Sequence, residues 1–159
     1  MYSPNSDEFL KLAAQGNLIP VTRRLLADIE TPLSAYRKIR GQGESFLFES
    51  VEGGEHLGRY SFVGCNPRAI IRQDGNQVEV IENGKVVEKF QVDPALTRPS
   101  DTLSHPTVEG KTAAVKDGLE VVERVMKKFR PVTVPGLPRF TGGAVGYMAY
   151  DAAAWFEPV

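Results

Sequence analysis

The chain has 159 residues, 42% of them hydrophobic and 25% charged, with a formal net charge of -1. That suits one ordinary globular domain burying about 70% of its unfolded surface, and the near-neutral balance gives no general attraction to nucleic acid or an anionic membrane. The single cysteine, Cys65, excludes an internal disulfide and a cysteine-rich zinc site and fits a reducing compartment, so the cytoplasm is expected.

The start, MYSPNSDEFLKL, lacks the basic and apolar regions of a signal peptide. No apolar run approaches the ~20 residues that span a bilayer. Asn5 or Ser6 caps a predicted helix with Asp7 and Glu8 in its first turn, Phe9, Leu12 and Ala13 on one face, and Gly16 as its stop. IPVTRRLLAD, Ile19 to Asp28, alternates well enough for a strand. Thr31-Pro32 then opens a helix running through Ile39 and ending near Gly41, with Tyr36 and Ile39 toward the core.

Strands are predicted at Phe46 to Val51 and Tyr60 to Val63, joined by the glycine-rich loop Glu52 to Gly58. Ala69 to Arg72, Gln77 to Ile81 and Val86 to Val92 follow as a β-meander, with Asp74-Gly75 and Asn83-Gly84 as its turns. Asp93 to Thr112, carrying Pro94, Pro99 and Pro106, reads as a long surface connection. Helical spacing returns in VKDGLEVVERVMKKF, with a stripe of Val115, Leu119, Val122, Val125 and Met126, and Lys127 and Lys128 at the negative end. A loop from Pro131 to Pro138 leads to FTGGAVGYMAYD, Phe140 to Asp151, which alternates as a closely packed strand. DAAAWFEPV reads as the start of a further helix or turn, as in a fragment of a longer polypeptide. This order of elements indicates an α+β fold, with helices laid against a mostly antiparallel sheet or sandwich.

Chemistry concentrates in FLFESVEGGEHLGRYSFVG, where Glu49, Ser50, Arg59, Tyr60 and Ser61 stand inside apolar sequence. Buried polar groups need partners, and two arrangements satisfy these. In one, Ser50 bonds to backbone and Glu49 pairs with Arg59 as a core ion pair. In the other they line a pocket for a free amino acid: Glu49 takes the ammonium, Arg59, Ser50 or Ser61 takes the carboxylate, and the apolar walls take the side chain. His56 and His105 stand in loop-like segments without the spaced partners of a metal or base site. Cys65 reads as a small buried hydrophobe. GGAVGY lacks both the GxGxxG spacing and the lysine-serine ending of a phosphate loop.

Three blocks carry a family resemblance: FLKLAAQGNLIPVTRRLLADIETPLSAYRKI, FLFESVEGGEHLGRYSFVGCNP and FTGGAVGYMAYD. Together they cover nearly the whole chain, and it resembles the N-terminal part of anthranilate synthase component I, the large subunit that begins tryptophan biosynthesis. The resemblance implies that residues 1–159 are a regulatory domain, truncated at its C-terminal end, of an enzyme converting chorismate to anthranilate and pyruvate. It implies magnesium, ammonia from a glutamine amidotransferase subunit, and feedback inhibition by tryptophan. The inhibitor pocket would include Glu49 and Ser50, with further contacts from Arg59 and Ser61.

Two departures follow from the same comparison. Phe48 stands before Glu49 where the family usually has leucine, which would reshape the pocket wall. The large C-terminal domain that holds chorismate and magnesium is missing, so this fragment is expected to bind no metal, to contain no catalytic residues and to be inactive alone. Its exposed seam favours self-association into a homo-oligomer. The alternatives are aminodeoxychorismate synthase component I, of the folate pathway, and a stand-alone amino-acid-binding module; AAQGNLIPV and ETPLSAY favour the tryptophan enzyme.

Overall fold

A computed structural model describes residues 2–49, 60–93, 113–150 and 152. The fold is α+β, as expected: three helices and three sheets among the described residues, mostly antiparallel. The chain divides into two compact units, Met1–Arg68 with Pro131–Thr141, and Ala69–Arg130 with Gly142–Val159.

In the first unit, strand β1 (Tyr2–Ser3) pairs antiparallel with β2 (Thr22–Arg23). Helix α1 (Ser6–Ala13) lies between them. Its start is the one the sequence marks: Asn5 Oδ1 accepts the Glu8 N–H at 3.0 Å, and Glu8 Oε2 accepts the Asn5 N–H at 3.0 Å. This reciprocal capping box satisfies two amide donors that the first turn leaves open. The strand expected over 19–28 contracts to Thr22–Arg23. Its partner is equally short, ending where Pro4 supplies no donor; Leu25 and Leu26 are left 68% and 95% exposed.

Helix α2 (Pro32–Ile39) has Thr31 as its cap, with Ser34 Oγ accepting the Thr31 N–H at 2.9 Å. Tyr36 is half-buried as expected, but Ile39 is 49% exposed and does not join a core. Strands β3 (Ser45–Phe48) and β4 (Phe62–Cys65) form a two-stranded antiparallel ladder. At the far end of the unit's sequence, the Val132 N–H donates to the Leu18 carbonyl at 2.9 Å, and Val132 is buried.

The second unit holds the β-meander, β5 (Ile70–Asp74), β6 (Gln77–Glu82) and β7 (Lys85–Val92). Asn83 and Gly84 turn the second hairpin with φ of 50° and 72°, the left-handed pair that matches the twist of the flanking strands. Strand β8 (Ala113–Val115) was not expected. It pairs parallel to β7, Val92 opposite Val115, and takes Val115 out of the predicted helix. Helix α3 therefore starts later, at Gly118–Met126, because Asp117 breaks the helical path and caps the next turn, its Oδ1 accepting the Glu120 N–H at 2.9 Å.

Val78, Val80, Phe90, Val115 and Val121 form the core of this unit, with Ala69, Ile71 and Val92 packed against it. The pairs Val78↔Phe90 and Ile71↔Val80 put these side chains on one sheet face. The buried helix position is Val121, at 1% exposed, whereas Leu119 of the expected stripe is 49% exposed. The strand expected over Phe140 to Asp151 is absent among the described residues: 142–149 carry no secondary structure, and Tyr147 and Tyr150 are 94% and 92% exposed. An alternating segment becomes a strand only where a second strand accepts its backbone bonds, and none does so among the described residues.

Candidate functional site

The site singled out by the sequence lies at the end of the β3–β4 ladder. Antiparallel register pairs Ser45 with Cys65, Phe46 with Gly64, Leu47 with Val63 and Phe48 with Phe62. Because side chains alternate, Phe46, Phe48 and Phe62 share one face with Gly64, and Ser45, Leu47, Val63 and Cys65 share the other.

The aromatic face is built around Gly64. A Cβ at that position would come within 2.1 Å of the edge of the Phe46 ring, so glycine is what lets the ring lie across the neighbouring strand. The rings of Phe46 and Phe48 stand 5.1 Å apart, and Phe62 meets Phe140 edge-on at 5.4 Å. On the opposite face the Tyr36 hydroxyl and Ser45 Oγ are hydrogen-bonded at 3.0 Å, which ties α2 to the ladder. Cys65 is half-buried in β4 rather than fully enclosed, and its thiol is free.

The ladder closes at Phe48↔Phe62, so the next residues on the two strands are Glu49 and Ser61. Two of the four candidate side chains therefore flank one ladder end. Both are exposed, where the sequence reading placed them within apolar β-structure. Strand pairing stops one residue short of them, and a carboxylate leaving a ladder is better solvated than buried. Ser50 and Arg59 lie outside the described residues, as do the expected loop Glu52 to Gly58 and both histidines, His56 and His105. At one ladder end the Glu49 carboxylate can accept from an ammonium and the Ser61 hydroxyl can donate one hydrogen bond, which is part of what an amino acid requires.

A groove of about 390 Å³ lies elsewhere in the same unit, lined by Tyr2, Pro4, Phe9, Leu10 and Val21 with Asn5 and Ser6. None of the predicted elements points to it. Pro4 just before the helix cap and Phe9 four residues inside the helix occupy the positions of a hydrophobic staple, and that spacing was the available signal. Among the described residues no three His, Cys, Asp or Glu side chains converge to hold a metal ion. No helix among them is long and apolar enough to cross a membrane.

No family model matches the chain. No solved structure matches it either. Curated proteins do: anthranilate synthase component 1 of Pseudomonas putida is 39% identical over 154 residues, which is 96% of this chain and 27% of that protein. The protein of the same name from Synechocystis is 37% identical over 160 residues, 99% of this chain and 27% of the relative. That from Acetivibrio thermocellus is 36% identical over 158 residues, again 99% and 27%. The chain thus spans about 27% of the length of the relatives it matches. The resemblance read from the three motif blocks is borne out: along nearly its whole length this chain is a homologue of anthranilate synthase component 1, matching about a quarter of that protein.

Proposed function

We propose that the chain is the N-terminal regulatory portion of an anthranilate synthase component 1. The observation that carries this reading is 36–39% identity extending over 96–99% of the chain to proteins bearing that name. In this reading the complete enzyme works in the cytoplasm, takes chorismate and ammonia from a glutamine amidotransferase subunit, and releases anthranilate and pyruvate for tryptophan synthesis. In the same reading, catalytic groups and magnesium belong to the part of component 1 outside the match, which is nearly three quarters of each relative.

Tryptophan is the proposed ligand of the β3–β4 ladder end. Glu49 receives its ammonium; Ser50, Ser61 and Arg59 donate to its carboxylate. The placement of Glu49 and Ser61 one residue beyond the same terminal pair supports this assignment. Inhibition then follows from linkage: if tryptophan prefers an arrangement that disfavours chorismate, chorismate weakens tryptophan by the same factor.

The test joins this chain to the remaining part of the Pseudomonas putida protein and follows anthranilate formation from chorismate and ammonia with increasing tryptophan. Ser50→Phe is expected to raise the tryptophan concentration needed for half-inhibition at least tenfold. Unchanged tryptophan sensitivity removes the ladder end as the inhibitor site, and a product other than anthranilate removes the tryptophan-pathway assignment.

A further inference from the structure

The two units are unequal in what they bury. The second has a five-residue core with three further apolar side chains against it. In the first, apart from Pro4, Val132 is the only buried apolar side chain larger than glycine among the described residues. Helices α1 and α2 contain no buried residue. Both of its sheets are two-stranded, an arrangement of marginal stability without a covering layer. Meanwhile Leu25, Leu26, Ile29 and Phe48 are 68%, 95%, 92% and 52% exposed.

We infer that this apolar surface of the first unit is an interface for the rest of a component 1 polypeptide, and that the first unit acquires its full stability only when so covered. The second unit, with its own core, holds its structure without that cover. The occupant follows from length: the matched stretch makes up 27% of each relative, so in those proteins nearly three times as much polypeptide is tethered to it. Tethering supplies a high effective concentration, which lets an interface of individually modest contacts stay closed. Without it, the ordering entropy of the first unit is opposed by little apolar burial. The inference rests on the proposed function for the identity of the occupant and extends it: the ladder end carrying Glu49 and Ser61 belongs to the unit whose order depends on the covering portion.

Hydrogen exchange read by mass spectrometry tests this on two proteins, the 159-residue chain and the same chain joined to the remaining part of the Pseudomonas putida protein. In the chain alone, amides of β6, β7 and α3 are expected to exchange at least about tenfold more slowly than those of α1, α2, β3 and β4. In the joined protein the second group slows to match the first. Leu26→Asp with Ile29→Asp is expected to abolish that slowing while β6, β7 and α3 stay protected, which separates a lost interface from a protein that fails to fold. Equal protection of both units in the chain alone overturns the inference, as does joined protein in which the first unit stays unprotected. Protection of the first unit that rises with concentration of the chain alone overturns it in favour of a second copy as occupant. These readings need neither catalysis nor tryptophan, so loss of the proposed activity leaves them interpretable.

Discussion

The side-chain oxygen of Gln73, on β5, accepts the backbone N–H of Gly118 at 2.6 Å, joining the edge of the meander to the first residue of α3 across 45 positions of sequence. The same amide's nitrogen donates to the Gly75 carbonyl at 3.0 Å, which fixes its orientation. The first N–H groups of a helix have no intrahelical acceptor, so Gln73 supplies what the helix lacks. Gln73→Ala is expected to cost about 1–2 kcal/mol by leaving that donor without a protein acceptor. The check is urea denaturation of the chain followed on a second-unit signal.

Gly118 gives a sharper form of the same test. A Cβ there would come 2.9 Å from the Gln73 side-chain oxygen, so Gly118→Ala must push the amide away and weaken the bond. With Gln73 already alanine the obstruction is gone, and the same change gains up to about 1 kcal/mol from alanine's greater helix propensity. Gly118→Ala should therefore be neutral or destabilising in the parent and stabilising in the Gln73→Ala background. Equal effects in the two backgrounds would refute the coupling.

Phe46 and Gly64 form a comparable pair in the first unit. Gly64→Ala places a methyl group 2.1 Å from the edge of the Phe46 ring, and the resulting overpacking is expected to cost about 1–3 kcal/mol. Phe46→Ala removes the clash, and Gly64→Ala in that background should instead favour the strand, because glycine is the weaker strand former. The pair also holds register: a one-residue slip would move every side chain of the ladder to the opposite face and separate Glu49 from Ser61. Cross-strand nuclear Overhauser contacts between residues 47 and 63 report the register directly.

Local signals were legible in this sequence where one short segment contains both partners of an interaction. Asn5 with Glu8, Thr31 with Ser34 and Asn83-Gly84 each lie within four residues, and each forms the cap or turn expected. Features that depend on a distant partner were not legible. The strand at Ala113–Val115 exists because β7 accepts it, and three apolar residues before a charged one carry no period of their own. The converse failure is residues 140–151, whose alternation is real but whose backbone finds no second strand among the described residues. The site divides the same way: Glu49 and Ser61 stand out by type, but their exposure follows from where the ladder ends.

The uneven burial of the two units predicts uneven sensitivity to truncation. Val80 is 2% exposed at the centre of the second unit's core, and Val80→Ala should cost about 2 kcal/mol through lost burial and the cavity left behind. Leu26 removes more carbon when changed to alanine, yet at 95% exposed it should shift the stability of the isolated chain by no more than about 0.5 kcal/mol. Denaturant midpoints of the two variants decide it. A large loss from Leu26→Ala in the chain alone would mean that this side chain is already packed.

Glu30, just before α2, carries a pH signature of the fold. Its carboxylate accepts from Lys38 Nζ and from Ser34 Oγ, the latter at 2.5 Å. These bonds, that to Lys38 first, hold its pKa below the ordinary 4.5. A pKa lowered in the folded state means that the ionised form favours folding. That contribution is fully present above the ordinary value and disappears as pH falls through the lowered one. Lys38→Met removes the larger cause, so the Glu30 midpoint, followed by the carbon shift of its carboxyl group, should move up toward the ordinary value. Ser34 keeps a smaller part of the depression in that variant. Added salt should move the parent midpoint the same way, because Lys38 is largely exposed and its charge is screened. An unchanged midpoint in Lys38→Met would assign the depression to Ser34 and the helix start alone.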